Sequence, residues 1–196
     1  SARIEGEEMK VEAAGFAGGD RTSLDLPQPQ QALLERVSAT GKPVVLVLMN
    51  GSALSINWAK DHVPAIVEAW YPGEGGGNAI ANVLFGKVNP SGKLPVTFPL
   101  RDADTPTWNN GTPAQNPVYS EGLKMGYRWY DAKHIQPMFP FGHGLSYTHF
   151  AYSDLRVRPH FDGSTTVSFM LRNDGQMAGA EVPQVYLGDL NDPVEP

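Results

Sequence analysis

The chain has 196 residues, 41% of them hydrophobic, and a formal net charge of -6, enough apolar material for a buried core and no clustered cations for a phosphate backbone. A disordered tail and a nucleic-acid-binding surface are both excluded. With no cysteine there is neither a disulfide nor a thiolate metal site, and no apolar run reaches the ~20 residues that a membrane-spanning helix needs.

The chain begins at Ser1 without a Met, a basic segment or an apolar leader, and is read as soluble, processed or truncated. Cysteine usage leaves the compartment open, with a periplasmic or secreted location favoured over the cytoplasm. The first segment, Glu5-Gly6-Glu7-Glu8 between Ile4 and Met9, carries few helix or strand cues and on its own reads as a solvated acidic turn.

Leu26 to Ala39 is predicted to be helical. Pro27 and Pro29 suit a first turn, Leu33, Leu34 and Val37 share a face, and Gly41 supplies the stop. Val44 to Met49 is a continuous apolar run, the mark of a strand covered on both faces of a parallel sheet. Ser55 to His62 supplies part of the crossover as a short helix, Ala65 to Trp70 is the second strand, and Asn78 to Phe85 is a helix stopped by Gly86. Such alternation means α/β.

Between the second strand and that helix lies Tyr71-Pro72-Gly73-Glu74-Gly75-Gly76-Gly77-Asn78. It fails as a dinucleotide fingerprint, because Asn78 stands where the third glycine is needed, and no Gly-Lys-Ser/Thr follows for a phosphate loop. A structural strand-to-helix turn is expected, and no cofactor. The histidines, His62, His134, His143, His149 and His160, lack metal-ligand spacing, and Ser52 lacks the elbow that exposes a hydrolase nucleophile. Asn50-Gly51-Ser52 and Asn110-Gly111-Thr112 match the short N-glycosylation pattern, which arises often by chance.

From Arg101 to Gln136 periodicity fades into a long segment with Pro106, Gly111, Pro113 and Pro117. Trp108, Tyr119, Trp129 and Tyr130 lie in or beside it, as stacking platforms for a sugar ring or as anchors of the loop. Phe139 to Tyr147 reads as a close-packed corner. Tyr152 to Arg158, Thr165 to Arg172 and Glu181 to Leu187 then read as short strands of a β-sandwich left incomplete at Pro196. The expected division is 1-100 for an α/β sandwich domain, 101-150 for a loop and linker, and 151-196 for the start of the β-sandwich, the whole being a fragment of a larger protein.

Several segments, in order, resemble glycoside hydrolase family 3 of the β-glucosidase and β-xylosidase type. They are Glu5 to Met9, Gly18-Gly19-Asp20-Arg21, Lys42 to Gly51, the glycine-rich turn, Asn89-Pro90-Ser91-Gly92-Lys93-Leu94-Pro95, Tyr127 to Asp131 and Phe139 to Tyr147. The resemblance implies a (β/α)8 barrel ahead of this chain, carrying an aspartate nucleophile. It also implies a six-stranded α/β sandwich, of which this chain holds part, and a fibronectin type III-like domain after it.

It further implies that a loop of the α/β sandwich supplies the general acid/base, and Glu7 matches that position with Glu8 as the runner-up. Many family members carry a simpler Gly-Glu-Gly-Tyr there, where this chain has Gly6-Glu7-Glu8-Met9. Tyr119-Ser120-Glu121-Gly122 resembles a β-glucosidase segment, with Glu121 read as structural or as lying near the substrate. The expectation is an exo-acting, retaining β-glucosidase, with a β-linked oligosaccharide or aryl glycoside as substrate and no metal, incomplete and inactive without its barrel. A β-xylosidase of the same family, or a non-catalytic carbohydrate-binding or scaffold fragment, is the alternative.

Overall fold

The computed structural model describes residues 14–17, 20–107, 119 and 121–188. Their contacts divide them into two bodies. One holds the described residues of 1–76, 94–143 and 187–196, and the other those of 77–93 and 144–186.

The first body opens with a small antiparallel pair, β1 (Phe16–Ala17) and β2 (Asp20–Arg21). Helix α1 (Gln28–Ser38) starts at Pro27, whose carbonyl accepts from the amides of Gln30 and Gln31 at 2.8 and 3.1 Å. It stops at Gly41, which takes a left-handed φ of 73° at no steric cost. Strand β3 (Val45–Leu48), helix α2 (Asn57–His62) and strand β4 (Ala65–Glu68) form the crossover unit, and the two strands pair in parallel with Leu48 opposite Glu68. Asparagine and glycine at 50 and 51 end β3, and the turn after β4 ends the second strand.

Burial is less even than the apolar pattern predicts. Leu34 is buried, but Leu33 and Val37 of the same helix are exposed, and so is Val45 at the start of β3. A groove of about 390 Å³ runs between α1 and β3, and these side chains line or border it. Amphipathic patterning reports which residues seek cover, and among the described residues nothing packs opposite this stretch. The core lies instead where α2 meets the C-terminal ends of the strands, with Leu48, Leu54, Ile56, Ala59, Val63 and Phe98 buried together. Phe98 bridges to Phe139 in an antiparallel contact, its amide donating to the Phe139 carbonyl at 2.9 Å, and so draws the 139–143 corner against the core.

The segment expected to be irregular contains a helix, α4 (Tyr127–Lys133), opened by Gly126 at φ 61° and closed by His134 at φ 54°. Its own polar groups hide it from a periodicity search. Tyr130 is its buried residue, and the Trp129 indole donates to the Asp104 carbonyl at 3.0 Å. Those two aromatics are therefore anchors, not exposed platforms.

The second body begins with α3 (Gly76–Leu84) and contains the hairpin β5 (Phe150–Pro159) and β6 (Thr165–Asn173). Gly86 stops the helix at φ 70°, as its position predicts. The hairpin is antiparallel with a register shift between Ser153 and Arg156, and Asp154 turns through φ 54° inside the shift. A third strand over 181–187 does not form. Pro183 removes a ladder donor, and the Glu181 carboxylate is held by Lys93 at 3.1 Å instead. Asn89 is the hub of this body, accepting from the Ser146 hydroxyl at 3.0 Å and the Tyr147 amide at 2.8 Å and donating to the Ala178 carbonyl at 3.2 Å.

Candidate active site

Glu7, Glu8 and Trp108 lie outside the described residues. Tyr119 and Glu121 share one turn, with the Tyr119 carbonyl accepting from the Gly122 amide at 3.3 Å and that of Glu121 from the Lys124 amide at 3.0 Å. The Tyr119 ring is 75% exposed and Glu121 is half-buried.

The Asp20-Arg21 segment is better defined. The Arg21 guanidinium donates to the Ser23 carbonyl at 3.2 Å and to the Asp25 carbonyl at 2.9 Å, and lies 5.7 Å from the Phe16 ring centroid. It thereby ties β2 to the approach of α1. Burial raises the Asp25 carboxyl above its ordinary range, nearby Asp102 raises it further, and Arg21 opposes both. Asp102 itself accepts from the Leu24 amide at 2.8 Å, so two distant stretches meet at this point.

Both parallel strands end at one edge, the carboxyl edge, where open α/β sheets present their functional loops. Glu68, the last residue of β4, accepts from the Trp70 amide through Oε1 at 3.0 Å and from the Asn50 side-chain amide through Oε2 at 3.2 Å. The same Asn50 nitrogen donates to the Ser52 carbonyl at 2.7 Å. A single carboxylate thus links the loop after β3 to the loop after β4. Burial raises the Glu68 pKa above the usual carboxylate range, while the hydrogen bonds from Trp70 and Asn50 lower it.

This edge is tightly built. Trp70 holds a φ of 50°, a left-handed conformation that costs a bulky residue of order 1–3 kcal/mol. Its indole meets Phe98 edge-on at 6.0 Å between ring centroids, so core packing holds the backbone in place. Its neighbour Tyr71 faces the other way, 61% exposed, with its ring against Gly51. A Cβ on Gly51 would stand 2.7 Å from the Tyr71 Cε2, so a side chain there would push the exposed ring aside. Asn50 is only 3% exposed, and its Oδ1 is buried with no hydrogen-bond donor among the described residues. An asparagine bonded in this way is closed to glycosylation in the folded chain; the other sequon, at Asn110, lies outside the described residues.

The glycine-rich turn is the structural strand-to-helix turn that its sequence predicts. Gly73 takes φ 68°, the Gly76 amide donates to the Gly73 carbonyl at 3.2 Å, and Gly76 lies so close to Pro72 that a Cβ would stand 2.6 Å from the proline Cγ. Among the described residues no three His, Cys, Asp or Glu side chains converge as a metal site would require. Sequence reasoning did not single out Asn50, Glu68, Trp70 or Tyr71 as members of a site. The signal available was their position at or just beyond the ends of two predicted parallel strands.

Comparison with known proteins places these features. Residues 1–147 match the profile described as the Glycosyl hydrolase family 3 C-terminal domain. Thermostable beta-glucosidase B of Acetivibrio thermocellus is 45% identical over 189 residues, covering 94% of this chain and 24% of the relative. Xylan 1,4-beta-xylosidase of Xylanibacter ruminicola is 42% identical over 194 residues, covering 98% of this chain and 21% of the relative. The solved structure of beta-glucosidase 3B from Thermotoga neapolitana superposes with a TM-score of 0.72 at 39% identity, over 80% of this chain and 23% of that one. The chain therefore spans about a quarter of the length of the relatives it matches.

Proposed function

Since this chain belongs to glycoside hydrolase family 3, we propose that it is part of an exo-acting, retaining β-glucosidase, to which it contributes the general acid/base. The observation that carries this reading is a family match over residues 1–147, acidic loop included, together with a β-glucosidase relative of which this chain covers only 24%.

The substrate is a terminal, non-reducing β-D-glucosyl residue of an oligosaccharide or aryl glycoside. In the first step an aspartate of a (β/α)8 barrel, elsewhere in the same polypeptide, attacks the anomeric carbon. The bond to the leaving oxygen breaks as Glu7 gives that oxygen its proton. In the second step the Glu7 carboxylate takes a proton from water, whose oxygen displaces the aspartate and releases glucose with its β configuration kept. Such pairs stand about 5–5.5 Å apart, and the donor needs a raised pKa, for which Glu5 and Glu8 are the neighbouring like charges. Glu8 is the second candidate for the donor. Within this reading, the β5–β6 hairpin opens a fibronectin type III-like domain.

Replacing Glu7 by Gln in the complete protein tests the assignment. The expected result is a loss of about 10²- to 10⁴-fold in kcat/KM on a β-glucoside with a poor leaving group, and a smaller loss in kcat/KM on one whose leaving group needs no proton. An unchanged rate transfers the role to Glu8, tested by the same substitution, or to neither, which leaves a binding or scaffold part. The 42% identity to a xylan 1,4-beta-xylosidase favours a β-xyloside as the second reading. Turnover of matched aryl glucoside and xyloside by the complete protein decides between them.

A further inference from the structure

The carboxyl edge of the β3–β4 pair carries a construction that core packing alone does not demand. Trp70 accepts a left-handed backbone at φ 50°, and by doing so sends two adjacent aromatics in opposite directions, its own indole onto Phe98 and the Tyr71 ring outward. The outward ring lies over Gly51, where an added Cβ would stand 2.7 Å from the ring edge. Glu68 locks the arrangement, because its carboxylate holds the Trp70 amide at 3.0 Å and the Asn50 side chain at 3.2 Å at once. A solvent-facing aromatic surface results, at the carboxyl ends of the parallel strands where ligands of open α/β sheets bind.

We propose that Tyr71 is a substrate-contact residue, its ring stacking against the leaving-side sugar of a β-linked oligosaccharide. The assignment rests on the glycosidase reading given above. In that reading the barrel holds the sugar that is released, and this chain brings the proton to the leaving oxygen, so an aromatic face on this chain meets the sugar beyond the scissile bond. The apolar C–H face of a pyranose matches an aromatic ring, and a tyrosine side chain has few rotatable bonds to immobilise on binding. Gly51, under the ring, follows the end of β3, and Glu68, the last residue of β4, holds the amide of the adjacent Trp70, so the ring stands where both parallel strands end.

The test uses the complete protein and two substrates, a β-linked glucose disaccharide and methyl β-glucoside, whose leaving group is too small to reach a ring. KM is independent of the amount of folded enzyme, so the ratio of the two KM values is the readout for each variant. Tyr71→Ala is expected to raise the disaccharide KM about two- to tenfold and leave the methyl glucoside KM unchanged, while Tyr71→Phe keeps the wild-type ratio. Gly51→Ala, which pushes the ring aside without removing it, is expected to shift the ratio in the same direction. An unchanged ratio in both Tyr71→Ala and Gly51→Ala overturns the proposal. Failure of the wild-type protein to cleave either glucoside overturns the glycosidase reading instead, and the two failures are thus distinguishable.

Discussion

Tyr130 shows how one buried side chain sets a pH dependence. Burial pushes its phenol from the ordinary 10.0 up to about 12, and the nearby Asp104 carboxylate adds to the rise. The folded protein therefore keeps a proton that the unfolded chain loses. Stability contributed by this group is intact below pH 10.0 and falls as pH climbs through the interval to about 12. Equilibrium denaturation from pH 8 upward, compared with Tyr130→Phe, is expected to show a steeper alkaline fall in the wild type; parallel curves would remove Tyr130 as the cause. At this same scale the sequence was only partly legible. Tyr130 and Trp129 are conspicuous aromatics, yet whether they face a ligand or the interior depends on Asp104, 25 residues from Trp129 along the chain.

Among elements, the pairing of β3 with β4 depends on how their last residues are joined. Glu68→Ala leaves the Trp70 amide without its side-chain acceptor and Asn50 Nδ2 with the Ser52 carbonyl alone, and a partly buried donor so stranded costs about 1–3 kcal/mol. The loss is expected as a lower denaturation midpoint with an unchanged denaturant slope. The pH behaviour has the opposite sense from that of a paired surface carboxylate. Because the folded Glu68 pKa is raised, its contribution is fully present below the ordinary 4.5 and is lost as pH rises through the raised value. The stability of the wild type relative to Glu68→Gln is therefore expected to improve on acidification toward pH 4.5, and a flat difference between them would exclude this role. Element types were largely readable in advance, since continuous apolar runs, proline starts and glycine stops are local signals. The unpaired state of 181–187 was not readable, because a strand also needs a partner, and the partner that Glu181 finds, through its side chain alone, is Lys93, 88 residues away.

For the whole molecule, the consequence of the proposed function is incompleteness. A double displacement needs two carboxyl groups, and the proposal locates the nucleophile in a barrel that these residues do not include. The chain of residues 1–196 by itself is accordingly expected to release no product from an aryl β-glucoside, whereas the complete polypeptide turns over; measurable turnover by the 196-residue chain would refute the division of labour. The uncovered groove between α1 and β3 and the exposed Val45, Leu33 and Val37 beside it fit a parallel sheet with too few strands to bury its own edges.

By itself the sequence determined the α/β class, the turns that need glycine and the membership of glycoside hydrolase family 3, because all three are written in short-range patterns. Helix stops at Gly41 and Gly86 follow from the φ values that only glycine accepts cheaply. Only the tertiary structure decided that Asn50, Gly51, Glu68, Trp70 and Tyr71 form one edge, that Leu33 and Val37 stay exposed beside a buried Leu34, and that Trp129 and Tyr130 anchor the chain. The reason is physical: a residue's conformational preference is its own, but its burial, its protonation and its hydrogen-bond partners belong to whatever distant part of the chain packs against it.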